Sequence, residues 1–203
     1  MKIDKLQQAG DFDQIILKEA EKFISQIVDE DYLAASRLIL EAEASSGRVH
    51  VTGIGKPGHI AAYIASLLSS TGTASYFLDG TEAVHGSSGQ LRAGDVVICI
   101  SNSGETSELK ATVQTIKNNG CAVIAVTGNP DSTIAKMANV HLFAGISEEG
   151  DELNRAPRAS VLAQTFVLQR LSIILQSHKG LTPEQYIKWH PGGALGQLRE
   201  DEK

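Results

Sequence analysis

A short polar segment with three hydroxyl side chains follows a run of apolar residues, and its composition suits phosphate binding. The apolar run, Val96 to Ile100, is too short for a buried helix, and its β-branched content predicts a strand covered on both faces. After Ser101-Asn-Ser-Gly-Glu-Thr106 the apolar spacing becomes helical. Unpaired N–H groups at a helix start carry partial positive charge and attract phosphate. An ordinary helix cap also needs a Ser or Thr, but three hydroxyls and a Gly exceed that need.

A second glycine-rich segment, Gly53-Ile-Gly-Lys-Pro-Gly-His59, lies between a predicted strand, 48–53, and a predicted helix, 60–70. It lacks the longer spacing and the Gly-Lys-Ser/Thr ending of a nucleotide-binding P-loop, so we discount nucleotide binding. Lys56 is the residue of interest here. A Lys is usually solvated, but ligands of open α/β sheets bind at the carboxyl ends of strands, where Lys56 lies.

Strands alternate with helices along the rest of the chain. Two helical segments occupy residues 12–45, and a polar loop containing His85 follows a strand at 74–78. This alternation predicts an α/β fold, a three-layer α-β-α sandwich around a five-stranded parallel sheet with right-handed crossovers. The remaining predicted elements are strands at 122–126 and 140–143 and helices at 132–137, 160–178 and 182–190.

The composition excludes several classes of protein. The 203 residues carry a net charge of -6 without a Lys/Arg cluster, which argues against a nucleic-acid partner. No uninterrupted apolar run is long enough to cross a membrane, and the N-terminus begins a mixed-charge helix rather than a signal peptide. Cys99 and Cys121 fall in predicted strands without metal-ligand spacing or a disulfide pattern, as in a reducing cytoplasm.

Four motifs occur along the chain in the order Gly53–His59, Glu82–Gly86, Ser101–Glu108 and His190–Gly196. Together they resemble the sugar isomerase (SIS) domain family over roughly Val51 to Gly196. The His-Pro-Gly-Gly ending is typical of the arabinose 5-phosphate isomerase subfamily. The resemblance implies a flavodoxin-like topology, with an N-terminal helical arm at 1–46 and a single SIS domain at 47–203.

The resemblance also implies an activity and its residues. The family interconverts D-ribulose 5-phosphate and D-arabinose 5-phosphate, which supplies the precursor of the eight-carbon sugar acid Kdo of lipopolysaccharide and some capsules. It implies a homotetramer whose protomers share active sites, with a small phosphorylated sugar as ligand. We expect a cytoplasmic protein without a cofactor or a metal. The phosphate would be held by Ser101, Asn102, Ser103 and Thr106, and the sugar site lined by Gly72 and Thr73. The positions in or beside the chemistry would be Lys56, His85, Glu108, Glu149 and His190.

Aldose–ketose isomerisation explains why such a set is needed. The reaction moves a proton between neighbouring carbons through an enediol, so it requires a base, a group that shuttles hydroxyl protons, and a cation or donor for the oxyanion. Glu108 or Glu149 would serve as the base if burial raises its pKa. His85 would open the sugar ring or shuttle protons, and Lys56 would steady the enediolate. Glu108 is equally explained as a helix first-turn acid favoured by the dipole.

The chain departs from the family pattern at two positions. Arg158 follows Ala156-Pro157, where many members have small hydroxyl residues, and Asp79 stands where some members carry a zinc-binding His. Longer relatives add CBS domains after the His-Pro-Gly-Gly segment, and we expect this regulatory pair to be missing. Two alternatives stay open: a 3-hexulose-6-phosphate or heptose-phosphate isomerase, and a non-catalytic sugar-phosphate sensor.

Overall fold

Five parallel strands form the centre of the structure, a computed structural model that describes residues 3–202. Residues 1 and 2 of the predicted arm and residue 203 of the predicted domain lie outside the described residues. The strand order is β2-β1-β3-β4-β5, which confirms the predicted parallel sheet and its flavodoxin-like topology. The strands are β1 Val49–Gly53, β2 Ser75–Phe77, β3 Val96–Ile100, β4 Ala122–Thr127 and β5 Val140–Phe143.

Helices connect and cover the strands. Helix α1 begins at Ile3, ahead of the segment predicted from residue 12, and α3 begins at Lys56 rather than at Ile60. Helix α3 begins early because Gly55, the residue before it, adopts φ +66° and Pro57 suits a first helical turn. The α-helices are α1 Ile3–Ser25, α2 Asp29–Ala44, α3 Lys56–Ser70, α4 Ser107–Asn118, α5 Thr133–Met137, α6 Ala159–Lys179 and α7 Pro183–Trp189. Short 3-10 helices occupy Glu82–His85, Ser87–Gln90, Ala194–Gly196 and Glu200–Glu202.

Each face of the sheet is buried by its own set of helices. In β3, Val96, Ile98 and Ile100 belong to the core beneath α2, α3 and α6. Val97 and Cys99 belong to the opposite core, beneath α4 and α5. Both faces are therefore apolar, which explains the continuous β-branched runs and confirms the three predicted layers.

Helix α6 packs in the core that it shares with α2 and α3. Its length and composition alone would allow it to cross a membrane, with 50% of the relevant window buried. The sequence did not predict such a candidate, because polar residues interrupt the apolar ones. Apolar side chains of α6 that include Val167, Leu168 and Leu171 are fully buried against the neighbouring layers, as is typical of a core helix.

A buried polar cluster fastens the amino ends of β1 and β3. The Asp95 carboxylate accepts hydrogen bonds from the backbone N–H groups of Arg48 and Arg92, at 2.8 and 2.9 Å, and pairs with the Arg48 guanidinium at 2.9 Å. Nε2 of His50 lies 3.0 Å from the same carboxylate. Burial would raise the pKa of Asp95, but these hydrogen bonds outweigh it and hold the pKa below its usual value. Burial lowers the pKa of His50.

Replacing Asp95 should destabilise the fold strongly. We expect Asp95→Asn to lower the free energy of unfolding by about 3 kcal/mol, because the Arg48 and His50 groups lose a buried charged partner. Urea unfolding at pH 7 and fixed protein concentration measures the change. Asp131→Asn is the matched control, since Asp131 is 85% exposed in its pair with Lys136 and should change little. Equal midpoints for the two variants would contradict this role of Asp95.

Stability should fall as the solution is acidified. The pKa of His50 and that of Asp95 are both lower in the folded protein than in the unfolded chain. The unfolded chain therefore takes up protons first, and stability is lost as pH drops below about 6.5 for His50 and below about 3.9 for Asp95. We expect His50→Gln to lose less stability than the parent chain between about pH 7.5 and 5.5. His141, whose pKa burial also lowers, keeps part of the slope in both proteins.

Candidate functional site

A crevice opens where β1 and β3 lie side by side and their following helices leave in opposite directions. The two strands pair in parallel up to Gly53 and Ile100, so the loops that follow them begin at the same level. Helix α3 covers one face of the sheet and α4 covers the other. Such a switch point at the carboxyl ends of parallel strands is where open α/β sheets bind ligands. We call this end of the sheet the carboxyl edge and the opposite end the amino edge.

The loop between β3 and α4, residues 101–106, holds its own shape through its hydroxyl groups. Ser101 is buried, its Oγ accepts from the Gly104 N–H at 3.1 Å, and it lies 3.2 Å from the Thr106 hydroxyl. Ser103 Oγ accepts from the Glu105 N–H at 3.1 Å, while the Asn102 and Ser103 side chains are exposed. Thr106 is the N-cap residue of α4 but makes no side-chain bond to the first turn. The simple capping explanation therefore does not account for its hydroxyl.

Two residues of this loop fasten it to α5. Gly104 has φ +65°, and a Cβ there would lie 2.1 Å from Ser132 Oγ, so only glycine fits. The Glu105 carboxylate accepts from the Thr133 N–H at 2.6 Å, from the Thr133 hydroxyl at 2.9 Å and from Lys110 at 3.1 Å. The Thr133 bonds, with help from Lys110, lower the pKa of Glu105 to about 2. Sequence reasoning missed Glu105, because nothing local links it to Thr133.

Lys56 and His85 also lie at the carboxyl edge. Lys56 is the exposed first residue of α3. His85 is exposed at the end of a 3-10 helix, whose start is held by the Asp79 carboxylate through the N–H groups of Thr81 and Glu82 at 2.8 and 2.9 Å. The Thr112 hydroxyl of α4 donates to the Gly80 carbonyl at 2.6 Å, which ties the His85 loop to α4.

The two candidate bases occupy different environments. Glu108 is exposed, and its own N–H and the Ser107 hydroxyl lower its pKa, so the burial expected of a base is not met by the single chain. Glu149 is 7% exposed. Its Oε2 accepts from the N–H groups of Arg158 and Ser160 at 2.7 and 3.1 Å, so it caps the start of α6 in place of a local Ser or Asp.

Arg158 lies at the same rim. Its side chain pairs with Asp151, so the bulky cation is held on the acidic loop 146–155. A shallow groove of about 390 Å³ lies beside it, between α3 and α6, and includes Lys56 and Pro157. The groove brings Pro157, the residue before Arg158, to the same surface as Lys56.

Gly72 and Thr73 lie at the amino edge, because they precede β2 instead of following a strand. The Lys179 ammonium donates to the Gly72 carbonyl at 2.8 Å and to the Thr73 hydroxyl at 2.6 Å. A third bond, 2.7 Å to Glu43, completes its three donors. Sequence reasoning missed Lys179, which lies more than 100 positions away from this turn.

His190 is found at the same edge, directly after α7. Its Nδ1 lies 2.9 Å from the Tyr186 carbonyl oxygen, and its ring stacks on the Tyr186 ring with centroids 3.9 Å apart. The neighbouring Trp189 ring lies over Gly72, where an added Cβ would come within 2.9 Å of it. His190 therefore directly follows a residue that packs on the Gly72–Thr73 turn.

One chain thus divides its predicted residues between two edges. Helix α6 runs from the Glu149 cap to Lys179, and its 21 residues span roughly 30 Å. The carboxyl edge holds Lys56, His85, the 101–106 loop, Glu108 and Glu149. The amino edge holds Gly72, Thr73 and His190. The described residues include no cluster of His, Cys, Asp and Glu that could hold a metal ion.

The loop after β4 was absent from the predicted site, although it touches the 101–106 loop. The Gly128 N–H donates to the Asn102 carbonyl at 2.9 Å. The Thr127 hydroxyl donates to the Asn129 carbonyl at 2.9 Å, which shapes this neighbouring turn. Its position at the end of the next strand was the signal that could have found it.

Comparison with known proteins gives a consistent result. The family described as SIS domain matches residues 44–174. The chain is 42% identical over 170 residues to the arabinose 5-phosphate isomerase KdsD of Pseudomonas aeruginosa, covering 84% of this chain and 51% of that relative. It is 37% identical over 191 residues to KdsD of Shigella flexneri, covering 94% and 57%. The chain thus spans about half the length of these curated relatives.

A solved structure is similar over nearly the whole chain. A protein of Escherichia coli CFT073, solved in complex with arabinose 5-phosphate, superposes with a TM-score of 0.87 at 33% identity. The match covers 94% of this chain and 100% of that one. The overall backbone fold is therefore shared with a protein that was solved with this sugar phosphate bound.

Gly104→Ala should disable the 101–106 loop. The left-handed backbone costs an alanine about 1–2 kcal/mol, and Ser132 must also move. We expect weaker binding of inorganic phosphate by at least about tenfold, the effect of about 1.4 kcal/mol, measured by isothermal titration calorimetry. Gly89→Ala is the control, because no atom lies within 4 Å of the added Cβ. Unchanged phosphate affinity in Gly104→Ala would count against the loop as the anion site.

Lys179→Met should loosen the Gly72–Thr73 turn. Glu43 and Thr73 would each lose a partly buried hydrogen bond, so we expect a loss of about 2 kcal/mol in unfolding free energy. Amide hydrogen exchange should accelerate at Gly72 and Thr73, which mass spectrometry can locate. Lys188→Met, an exposed change in α7, serves as the control. Unchanged exchange at the turn would argue that Lys179 does not hold it.

Proposed function

This chain belongs to the SIS domain family, and from that premise we propose that it interconverts D-ribulose 5-phosphate and D-arabinose 5-phosphate. The observation that carries the proposal is the crevice between β1 and β3. A hydroxyl-rich loop lies there, directly before α4, and the Thr106 side chain makes no capping hydrogen bond to the first turn of that helix. The names of the curated relatives and the sugar-phosphate complex of the E. coli neighbour support the choice of sugar. A product of this kind would supply Kdo synthesis in the cytoplasm.

The 101–106 loop binds the phosphate group of the substrate. The 101–106 loop offers backbone N–H groups at the positive end of α4 together with the exposed Asn102 and Ser103 side chains. Anchoring this end fixes the distance between the phosphate and the first two carbons of the sugar. The reacting carbons then lie over the neighbouring loop, which carries Lys56. Because the grip is the same for aldose and ketose, it binds both and leaves the chemistry to other groups.

The proton transfer requires a base and a stabilised oxyanion. A carboxylate removes the proton from C2 of the aldose or C1 of the ketose, and the bond electrons form the enediolate. The same carboxylate returns the proton to the neighbouring carbon. The Lys56 ammonium stabilises the enediolate charge, and His85 moves protons in ring opening.

Glu149 is the better placed of the two carboxylates. It is buried, and both of its bonds to α6 go to Oε2, so Oε1 is the oxygen that meets the substrate. Glu108 is exposed and held ionised by its neighbours, which suits an electrostatic role at the helix start. A second protomer covering the crevice would bury Glu108 and change this balance.

We further propose that the active site is completed between protomers of a homotetramer. Gly72, Thr73 and His190 are separated from the crevice by the length of α6, so they serve a neighbour's crevice rather than their own. Apolar side chains remain exposed on the helical layer, among them Leu17 of α1 and Phe166 of α6. A partner protomer would cover such a surface.

The central test follows exchange at carbon during turnover. Incubation with ribulose 5-phosphate in deuterated water should give arabinose 5-phosphate carrying deuterium at C2, observed by NMR. Exchange without this aldose would favour another sugar-phosphate isomerase, which the Arg158 departure would explain. Saturable binding without any exchange would favour the sensor. Glu149→Gln should lower kcat by at least about 100-fold, since general acid–base catalysis contributes factors of this size.

A mixing experiment tests the shared site. Lys56→Ala and His190→Ala should each be inactive alone, but co-expressed subunits should recover part of the activity. In a shared site, an intact Lys56 from one protomer can meet an intact His190 from the other. If both residues served the same protomer's crevice, every mixed site would lack one of them. Co-expressed subunits with no activity above the single variants would contradict the shared arrangement.

A further inference from the structure

Tyr186 makes two contacts that together fix His190. The first is the 2.9 Å contact between the Tyr186 carbonyl oxygen and Nδ1 of His190. The second is the ring stack, with a centroid separation of 3.9 Å and an angle of 16° between the planes. One contact sets the direction of a ring nitrogen, and the other sets the plane of the ring.

The hydrogen bond determines where the imidazole carries its proton. A backbone carbonyl oxygen can only accept, so Nδ1 must be the donor and must carry the hydrogen. Neutral imidazole has a single N–H, which leaves Nε2 with its lone pair. The second ring nitrogen, Nε2, is therefore an acceptor.

We propose that Tyr186 is a positioning residue that holds His190 in the Nδ1–H tautomer, so that Nε2 accepts a proton from a sugar hydroxyl. The inference rests on the proposed isomerase function. In the step, the hydroxyl O–H bond breaks while Nε2–H forms, giving imidazolium. The proton then returns to the neighbouring oxygen as the carbonyl moves, so the histidine ends the cycle neutral.

The position of the pair supports a role beyond ending a helix. A histidine near a helix C-terminus often bonds one of the last carbonyls, and that bond alone would fasten α7. The stack is not needed for such a cap. In addition, Trp189 places this end of α7 against Gly72, beside the turn that Lys179 holds. His190 thus directly follows the residue that packs on Gly72, one of the two predicted sugar-lining residues.

The tautomer can be observed without any assay. In protein labelled with 15N-histidine, the resonances of His190 are those lost in His190→Gln. We expect the unligated protein at pH 8 to show a protonated Nδ1 and an unprotonated Nε2. A dominant Nε2–H form would overturn the proposal whatever the activity. If the Nδ1–H form is found in a protein that isomerises no sugar phosphate, the tautomer assignment stands and the proposed function falls.

Kinetics then test the positioning. Tyr186→Phe keeps ring and carbonyl and should stay within about twofold of the parent kcat. Tyr186→Leu removes the stack and should lower kcat about threefold to tenfold, the range a lost aromatic pair allows, with KM little changed. It should also mix the two tautomers in the NMR spectrum.

The matched control is Tyr76→Leu, which removes a tyrosine whose ring centroid lies 5.8 Å from that of His50, and it should leave kcat unchanged. An effect of Tyr186→Leu on melting temperature alone, with kcat and the tautomer preserved, would reduce Tyr186 to a structural residue. If kcat fell as much in Tyr76→Leu as in Tyr186→Leu, the role of Tyr186 in positioning His190 would also be overturned.

Discussion

The parallel pairing of β1 with β3, and the departure of their helices to opposite faces, is the constraint on which the site depends. Helix α3 buries Ile64 and Leu68 in one core, and α4 buries Leu109 and Val113 in the other. Burying a side chain of this size contributes about 1.5–3 kcal/mol, so neither helix can change sides cheaply. The crevice therefore results from the packing of two separate cores, and its loops begin at the ends of the firmly packed strands β1 and β3.

Local sequence patterns were enough to predict most of the strands and helices. The bounds of β3 and β5 agree with the prediction, and β4 differs by one residue, because uninterrupted β-branched runs ended by turn residues have few alternatives. The start of α3 was placed four residues too late. A stretch containing Gly55 and Pro57 reads as a loop, although a proline in the first turn and a glycine before it also begin a helix.

The site itself was predictable in kind but not in arrangement. Ser101 and Thr106 indicate an anion loop because their types and spacing are local. The partners that hold the loop and the turn are not local. Glu105 reaches Thr133, and Lys179 reaches Thr73 across 106 positions. Local sequence patterns do not indicate which distant residues will contact each other. Such contacts are therefore visible only in the folded structure.

The length of α6 has a consequence for how this chain can change over generations. One inserted residue would turn everything beyond it by about 100° and push it about 1.5 Å along the axis. Lys179 would then leave the Gly72 carbonyl, while the Glu149 cap at the other end would be unaffected. Related sequences should therefore tolerate insertions in the acidic loop before α6 but not inside the helix. The number of residues in α6 sets the distance between the two halves of the site.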